Sequence, residues 1–134
     1  MKSLFLSFIF VSIIFLVIDV IWLSFSVKQF YRPYLGDLIN EKPVFWAAAL
    51  FYLVYMIGLT VIILQPALIN QSVSQALWTG ILFGLVAYGT YNLTNMATIK
   101  GWSPYVVFVD MIWGGILTGS SSAISVFLIK NYFN

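Results

Sequence analysis

Residues 4–27 read LFLSFIFVSIIFLVIDVIWLSFSV, an apolar run whose only charged side chain is Asp19. At about 1.5 Å of rise per residue, a helix of this length exceeds the roughly 30 Å thickness of a bilayer core. The run therefore predicts a membrane-spanning helix. A secretory signal is the less favoured alternative, because the run is longer than the apolar part of a signal and contains Asp19 and Trp22.

Three further apolar runs follow, separated by short polar breaks. They cover residues 44–64, 74–99 and 104–129. Hydrophobic residues make up 62% of the chain and charged residues only 7%, against roughly 25% charged residues in a soluble domain. We therefore predict an all-α fold in which residues 1–134 form a single transmembrane domain. Its architecture is an integral membrane four-helix bundle with short loops and antiparallel neighbours.

The residue types that the chain lacks exclude several kinds of chemistry. Because there is no cysteine and no histidine, thiol catalysis, imidazole catalysis and metal sites built from these ligands are not available. The formal net charge of +2 is too small and too scattered for a nucleic-acid interface. We expect membrane lipids as partners, and no nucleic acid, cofactor, metal ligand or catalytic residue.

The basic residues favour one orientation in the membrane. Four lie in the first and third loops, and two lie near the termini: Lys28, Arg32, Lys42 and Lys100, against Lys2 and Lys130. The positive-inside rule then places both of these loops in the cytoplasm and both termini outside. The two sides differ by only two basic residues, so the sequence also leaves dual-topology insertion open.

Two aspartates lie inside predicted spans, in matching contexts. The first helix contains Asp19-Val-Ile-Trp22 and the fourth contains Asp110-Met-Ile-Trp113. An ionisable side chain at bilayer depth costs on the order of 3 kcal/mol, so both carboxyl groups need polar partners. Counted from the adjoining helix ends at about 1.5 Å per residue, both aspartates lie roughly 10 to 14 Å below the same membrane face.

Tyrosine and asparagine residues of the second and third helices lie at the same depth. On the third helix they follow the i, i+3, i+4, i+7 spacing of one helical face. Their polar groups need partners within the protein, because lipid tails cannot supply a hydrogen bond. The sequence therefore predicts an intramembrane ligand- or proton-binding site, open toward the basic loops, with these candidate residues: Asp19, Trp22, Tyr52, Tyr55, Tyr88, Tyr91, Asn92, Asn95, Asp110 and Trp113.

Other aromatic residues fall near the predicted helix ends, where the headgroup region favours them. They are Trp46, Trp78, Trp102, Tyr31, Tyr105 and Tyr132. The segment 30–39 mixes aromatic, basic and apolar residues, which is typical of a membrane-surface anchor. We therefore expect these aromatic residues, Tyr31 included, in the interfacial belt and outside the polar site.

Small residues on the third and fourth helices are typical of close helix packing. Gly80 and Gly84 form one small-x-x-x-small pattern and Gly115 and Gly119 form another, and either pair could bring two copies together in a homo-oligomer. The fourth helix also carries a polar face that continues from Asp110 to the opposite side: Gly114, Thr118, Ser121, Ser122 and Ser125. For this face we favour a packing role over a permeation path.

Several short motifs resemble one known family. They are Asp19 with Trp22, KQFYR at 28–32, Leu35-Gly36, AYGTYNLTNMAT at 87–98, KGW at 100–102 and VDMIWG at 109–114. Together they resemble the bacterial domain-of-unknown-function family 2177, over nearly the whole chain. The resemblance implies a small protein of the bacterial inner membrane and implies no activity. Relatives usually carry aspartate where Asn92 stands, so a site with a third carboxylate is not expected.

Three functions are consistent with these residues. The favoured hypothesis is a small-solute or proton-coupled transporter or binding protein, in which Asp19 and Asp110 take up a proton or a cationic group. The second is a lipid-linked membrane enzyme or accessory protein, although no nucleophile–base pair is visible in the sequence. The third is a structural membrane subunit, in which neutral carboxyl groups only hold the helices in register.

Overall fold

The structure, a computed structural model, describes residues 2–133 and is 89% helical. Within this range no strand occurs. Four helices are long and apolar enough to cross a membrane: α1, Lys2–Leu38; α2, Phe45–Ile69; α3, Val73–Thr98; and α4, Pro104–Tyr132. Their connections are short, and consecutive helices run in opposite directions. The all-α fold class with four spanning helices is confirmed.

Helix α1 continues beyond residue 27, where the sequence predicts its end. It is α-helical over Lys2–Ser26 and then widens into a π-helical turn at Val27–Tyr31. Lys28 is exposed on this turn, and a lysine can remain in a helix by extending its ammonium group along the surface toward water. The α-helical part that follows ends at Gly36, whose φ of +56° is left-handed.

Helix α2 also continues beyond its predicted end at residue 64. A π-helical turn at Leu59–Leu64 precedes the last α-helical segment, Gln65–Ile69, which has Pro66 in its first turn. Proline has no N–H to donate to the preceding turn. A wider turn just before it changes the hydrogen-bonding pattern at that point and lets the helix proceed.

Helices α3 and α4 pack together more closely than any other pair. A Cβ atom added to Gly80 would lie 2.9 Å from the Cα atom of Gly119, and one added to Gly84 would collide with the carbonyl of Gly114. Gly115 packs in the same interface, against α3. The chain thus uses these glycines for its own helix packing, and a homo-oligomer through Gly80 and Gly84, or through Gly115 and Gly119, stays a prediction.

The outer surface of the bundle is apolar on every helix. Ile13, Val54, Val86 and Ile116, one from each helix, are all more than half exposed. In a membrane protein such side chains contact lipid, and their exposure therefore carries no penalty. Many polar side chains of the spans, including Asp19, Asn92 and Thr118, are buried inside the bundle. A candidate functional site is therefore sought in the interior.

Candidate functional site

Asp110 on α4 accepts two hydrogen bonds from neighbouring helices. The Tyr31 hydroxyl donates to its Oδ1 at 2.5 Å, and the Asn92 amide Nδ2 donates to its Oδ2 at 2.6 Å. Asn92 is fully buried and also donates from Nδ2 to the Tyr88 carbonyl at 2.9 Å. Donors from α1 and α3 therefore hold both oxygens of this carboxyl group.

Asp19 on α1 also accepts two hydrogen bonds, and its donors come from the other two helices, α2 and α4. It is 7% exposed, and it accepts a hydrogen bond from the Tyr52 hydroxyl of α2. The Trp113 indole Nε1 of α4 donates to its second oxygen at 3.3 Å. The two aspartates thus draw donors from all four helices.

Two stacked tryptophans join the aspartates into one network. The rings of Trp22 and Trp113 have centroids 4.6 Å apart and planes 16° from parallel. Trp22 Nε1 donates to the Tyr31 hydroxyl at 3.2 Å, and Tyr31 donates in turn to Asp110. Because α1 and α4 are antiparallel, the Asp-x-Ile-Trp motif of one helix meets that of the other in reverse. Each tryptophan therefore bonds toward the aspartate of the opposite helix.

A cavity of about 260 Å³ lies beside this network, between α1, α3 and α4. Both aspartates and both stacked tryptophans line it, together with Tyr31, Tyr88, Tyr91 and Trp102. Leu35 and Ile39 line its outer part. These two residues lie where α1 ends, so the cavity is at the end of the bundle that carries the basic loops.

A second cavity of about 410 Å³ adjoins the first at Tyr88. Its walls are Phe51 and Tyr55 of α2, Ala87, Tyr88 and Tyr91 of α3, and Asp110 of α4. Tyr88, Tyr91 and Asp110 line both cavities. One is therefore a polar chamber with two carboxyl groups, and the other is a largely apolar chamber that touches a single carboxyl group.

The structure does not bring all of the candidate residues to the carboxyl groups. Tyr55 is buried, but its hydroxyl hydrogen-bonds Thr118 Oγ1 at 2.8 Å. Tyr91 is 56% exposed and packs edge-on against Trp102. Among the described residues, the Asn95 side chain has no hydrogen bond to either aspartate. Tyr55 and Tyr91 therefore form cavity walls, and Asn95 stands apart from the network.

Tyr31 and Trp102, which the sequence predicts in the interfacial belt, belong to the polar chamber. Tyr31 lies in the π-helical turn at Val27–Tyr31, within a helix that continues past the predicted boundary. The segment 30–39, expected to be a membrane-surface anchor, thus also lines the polar chamber through Tyr31, Leu35 and Ile39. Leu35 is buried. No local signal distinguishes Tyr31 from a belt tyrosine, because its role depends on the turn that directs it toward Asp110.

The site has acidic groups without a cationic partner. No lysine or arginine of residues 2–133 forms an ion pair with Asp19 or Asp110, and Lys28 and Lys100 are exposed. In the same residues, no cluster of three histidine, cysteine, aspartate or glutamate side chains could hold a metal ion. In general, paired carboxyl groups of this kind are chemically able to accept a proton or a positive charge, and aromatic faces attract cations.

Comparison with known proteins agrees with the membrane-spanning fold. Residues 4–127 match the family model described as predicted membrane protein, domain of unknown function 2177. No curated protein and no solved structure matches the chain significantly. The match covers nearly all of the four helices and both Asp-x-Ile-Trp motifs. The chain therefore belongs to the membrane-protein family designated domain of unknown function 2177.

Proposed function

We propose that the protein is a small-solute binding protein or proton-coupled transporter whose site is the network around Asp19 and Asp110. One observation carries the proposal. Both carboxyl groups line a single cavity of about 260 Å³ that contains no basic side chain. Buried ionisable groups are costly in a membrane and commonly mark binding sites or ion pathways. A proton or a ligand cation can provide the charge balance that the chain does not.

The donors around the carboxyl groups support this reading. Tyr31, Tyr52, Asn92 and Trp113 each direct an O–H or N–H group at a carboxyl oxygen. Such donors can stabilise a charged carboxylate, and they also fix the directions in which its remaining lone pairs point. A proton and a cationic solute would then compete for the same oxygens, which is the basis of proton-coupled exchange.

The proposal includes an orientation. We place the protein in the bacterial inner membrane with the basic loops in the cytoplasm and both termini outside. The polar chamber then opens toward the cytoplasm. The chain has no cysteine, so single cysteines at Lys42 and at Asn131 can be labelled in intact cells without background. Labelling at Asn131 but not at Lys42 by an impermeant reagent is expected, and the reverse pattern would refute the orientation.

Infrared spectroscopy of the protein in lipid tests the site directly. We expect a protonated-carboxyl band that changes reversibly between about pH 5 and 9 if water reaches the chamber. Asp110→Asn should remove a part of this change, and Asp37→Asn, at the exposed end of α1, should leave it intact. A band that is constant over the whole range would mean that neither aspartate exchanges protons, and the proton-coupled mechanism would be wrong.

Proteoliposomes test transport itself. We expect a proton flux that depends on an added organic cation such as tetramethylammonium, and a loss of this flux in Asp110→Asn. Asp37→Asn again serves as the matched control. Equal fluxes in the wild type and in Asp110→Asn would contradict transport through this site.

A lipid-linked accessory role is the second candidate, favoured by the apolar chamber. That cavity of about 410 Å³ reaches Asp110 from the side of α2, and a general acid next to an acyl chain is one arrangement of lipid chemistry. A changed lipid profile in a deletion strain, restored by the wild type but not by Asp110→Asn, would favour it.

A further inference from the structure

The apolar chamber lies in a cleft between the first part of α2 and α3. Helix α2 approaches α3 through its second part, Leu59–Ile69, whereas Phe45–Gly58 packs against α1. Phe51 and Tyr91, at the edges of the cleft, are 44% and 56% exposed. The cleft therefore faces the hydrocarbon region of the membrane.

Tyr88 lies at the boundary between the cleft and the polar chamber, because it lines both. Its ring packs so closely on Gly114 that a Cβ atom at that glycine would overlap it. Its ring also contacts Tyr55 edge-on, with centroids 6.3 Å apart. Since Asp110 lines both cavities, a ligand can reach this carboxyl group from the polar side or from the cleft.

We propose that the ligand of this site is a single-chain amphiphile with an ammonium head group. This proposal rests on the proposed function and specifies its ligand class. The ammonium group lies at Asp110, among the aromatic rings shared by the two chambers, and the alkyl chain lies in the α2–α3 cleft. The ligand enters from the bilayer through the cleft.

The charge of Asp110 and the apolar walls of the cleft favour an ammonium amphiphile over anionic, neutral or short-chain ligands. An anionic or neutral head group would leave Asp110 without a positive partner, because the described residues supply no lysine or arginine at this depth. A cation without a chain would leave the apolar walls of the cleft unused. A volume of about 410 Å³ lies within the range of roughly 300–1,000 Å³ that is typical of small-ligand pockets.

A reversible block of the cleft tests the proposal. Ala87 lines the cleft, and Ala97, on the same helix, is exposed elsewhere. Each is changed to cysteine, and the protein is folded into nanodiscs and only then modified with a hexyl thiosulfonate, so the block cannot impair folding. Binding of decyltrimethylammonium, tetramethylammonium and decyl sulfate is measured by tryptophan fluorescence, because Trp22 and Trp113 are stacked in the site.

The expected result distinguishes recognition of the ligand's alkyl chain from recognition of its ammonium head group. The hexyl adduct at Ala87→Cys should weaken decyltrimethylammonium binding at least tenfold and leave tetramethylammonium binding unchanged. The adduct at Ala97→Cys should change neither, and decyl sulfate should not compete. Bound decyltrimethylammonium should also slow the labelling of Ala87→Cys severalfold.

The other outcomes are decisive as well. If tetramethylammonium binds and requires Asp110, but the adduct at Ala87→Cys leaves decyltrimethylammonium binding unchanged, the amphiphile proposal is wrong and the proposed function stands. The amphiphile proposal also fails if decyl sulfate competes as well as the ammonium compound. If neither ammonium compound binds, or if Asp110→Asn binds both as the wild type does, the proposed function itself fails.

Discussion

The half of the bundle next to the basic loops and the opposite half bury polar groups in different ways. In the first, Asp19 and Asp110 are surrounded by aromatic and amide donors, and two cavities adjoin them. In the second, Ser121, Ser122 and Ser125 are fully buried in close helix contacts. We call the first half open and the second half closed, after the packing around their buried polar groups. A cavity of about 310 Å³ in the closed half, lined by Phe8, Ile57 and Thr60 among others, adjoins no carboxyl group.

The difference follows from what each side chain can do within its own helix. A serine hydroxyl can donate to the carbonyl one turn earlier, as Ser125 does to Ser121 at 2.7 Å and Ser7 does to Ser3 at 2.6 Å. An ionised aspartate only accepts, so its donors come from other helices. Tyrosine and tryptophan supply these donors, and their size keeps the backbones apart. The buried carboxyl groups therefore have cavities beside them, whereas the serine hydroxyls of α4 permit close helix contact.

The largest effect is expected from disturbing the closed half. In Gly80→Ala the new Cβ atom would lie 2.9 Å from the Gly119 Cα atom and 3.0 Å from the Thr118 carbonyl oxygen of α4. We expect a loss of about 3 kcal/mol or more of unfolding free energy, measured by denaturant titration in detergent micelles. Gly58→Ala is the control, because its Cβ atom would lie 3.7 Å from Phe83 Cζ. An equal loss in both variants would show that close packing does not define this half.

The second effect concerns the pair formed by Asn92 and Asp110. Asn92→Asp would replace the amide that donates at 2.6 Å with a second acceptor, and we expect a loss of about 2 kcal/mol of stability. The exchange Asn92→Asp with Asp110→Asn restores one donor and one acceptor, and should recover at least half of that loss. A double-mutant cycle measures the coupling. Simply additive losses would mean that the contact is not a specific pair.

A smaller effect is expected from removing the Tyr31 hydroxyl. Tyr31→Phe deprives Asp110 of a donor and Trp22 of an acceptor. We expect a loss of about 1 to 2 kcal/mol of stability, together with a changed tryptophan emission. Tyr105→Phe is the matched control, because Tyr105 is 67% exposed. If the two variants behave alike, Tyr31 is a belt residue and the open half is smaller than described.

The smallest effect is expected from a serine of the closed half. The Ser122 hydroxyl is buried and has no hydrogen-bond partner in the described part of the chain. Removing such a group should be neutral or should stabilise the protein by less than about 1 kcal/mol, so Ser122→Ala should unfold at the same denaturant concentration as the wild type or slightly above it. A loss greater than 1 kcal/mol would reveal a polar function of this half.

The sequence was sufficient to predict the helices and the proximity of the two aspartates. Apolar runs longer than the bilayer core predicted four spanning helices, and the polar residues at one depth predicted that Asp19 and Asp110 share one region. The sequence was less informative about helix boundaries. Lys28 and Pro66 predict helix ends, but Lys28 lies in a π-helical turn and Pro66 lies just after one, and both helices continue. The sequence also gave no indication that Tyr31 bonds Asp110, since that contact depends on such a turn.

Hydropathy and spacing alone therefore determined that the chain forms four membrane helices with two carboxyl groups at one depth. These properties act on each helix separately, through the cost of placing backbone and charge in lipid. Only the tertiary structure decided which donors meet which aspartate, that the glycines pack within the chain, and that Tyr88 lines two chambers. These features require side chains far apart in sequence to meet, and the contacts depend on the rotation and register of packed helices, which no local pattern encodes.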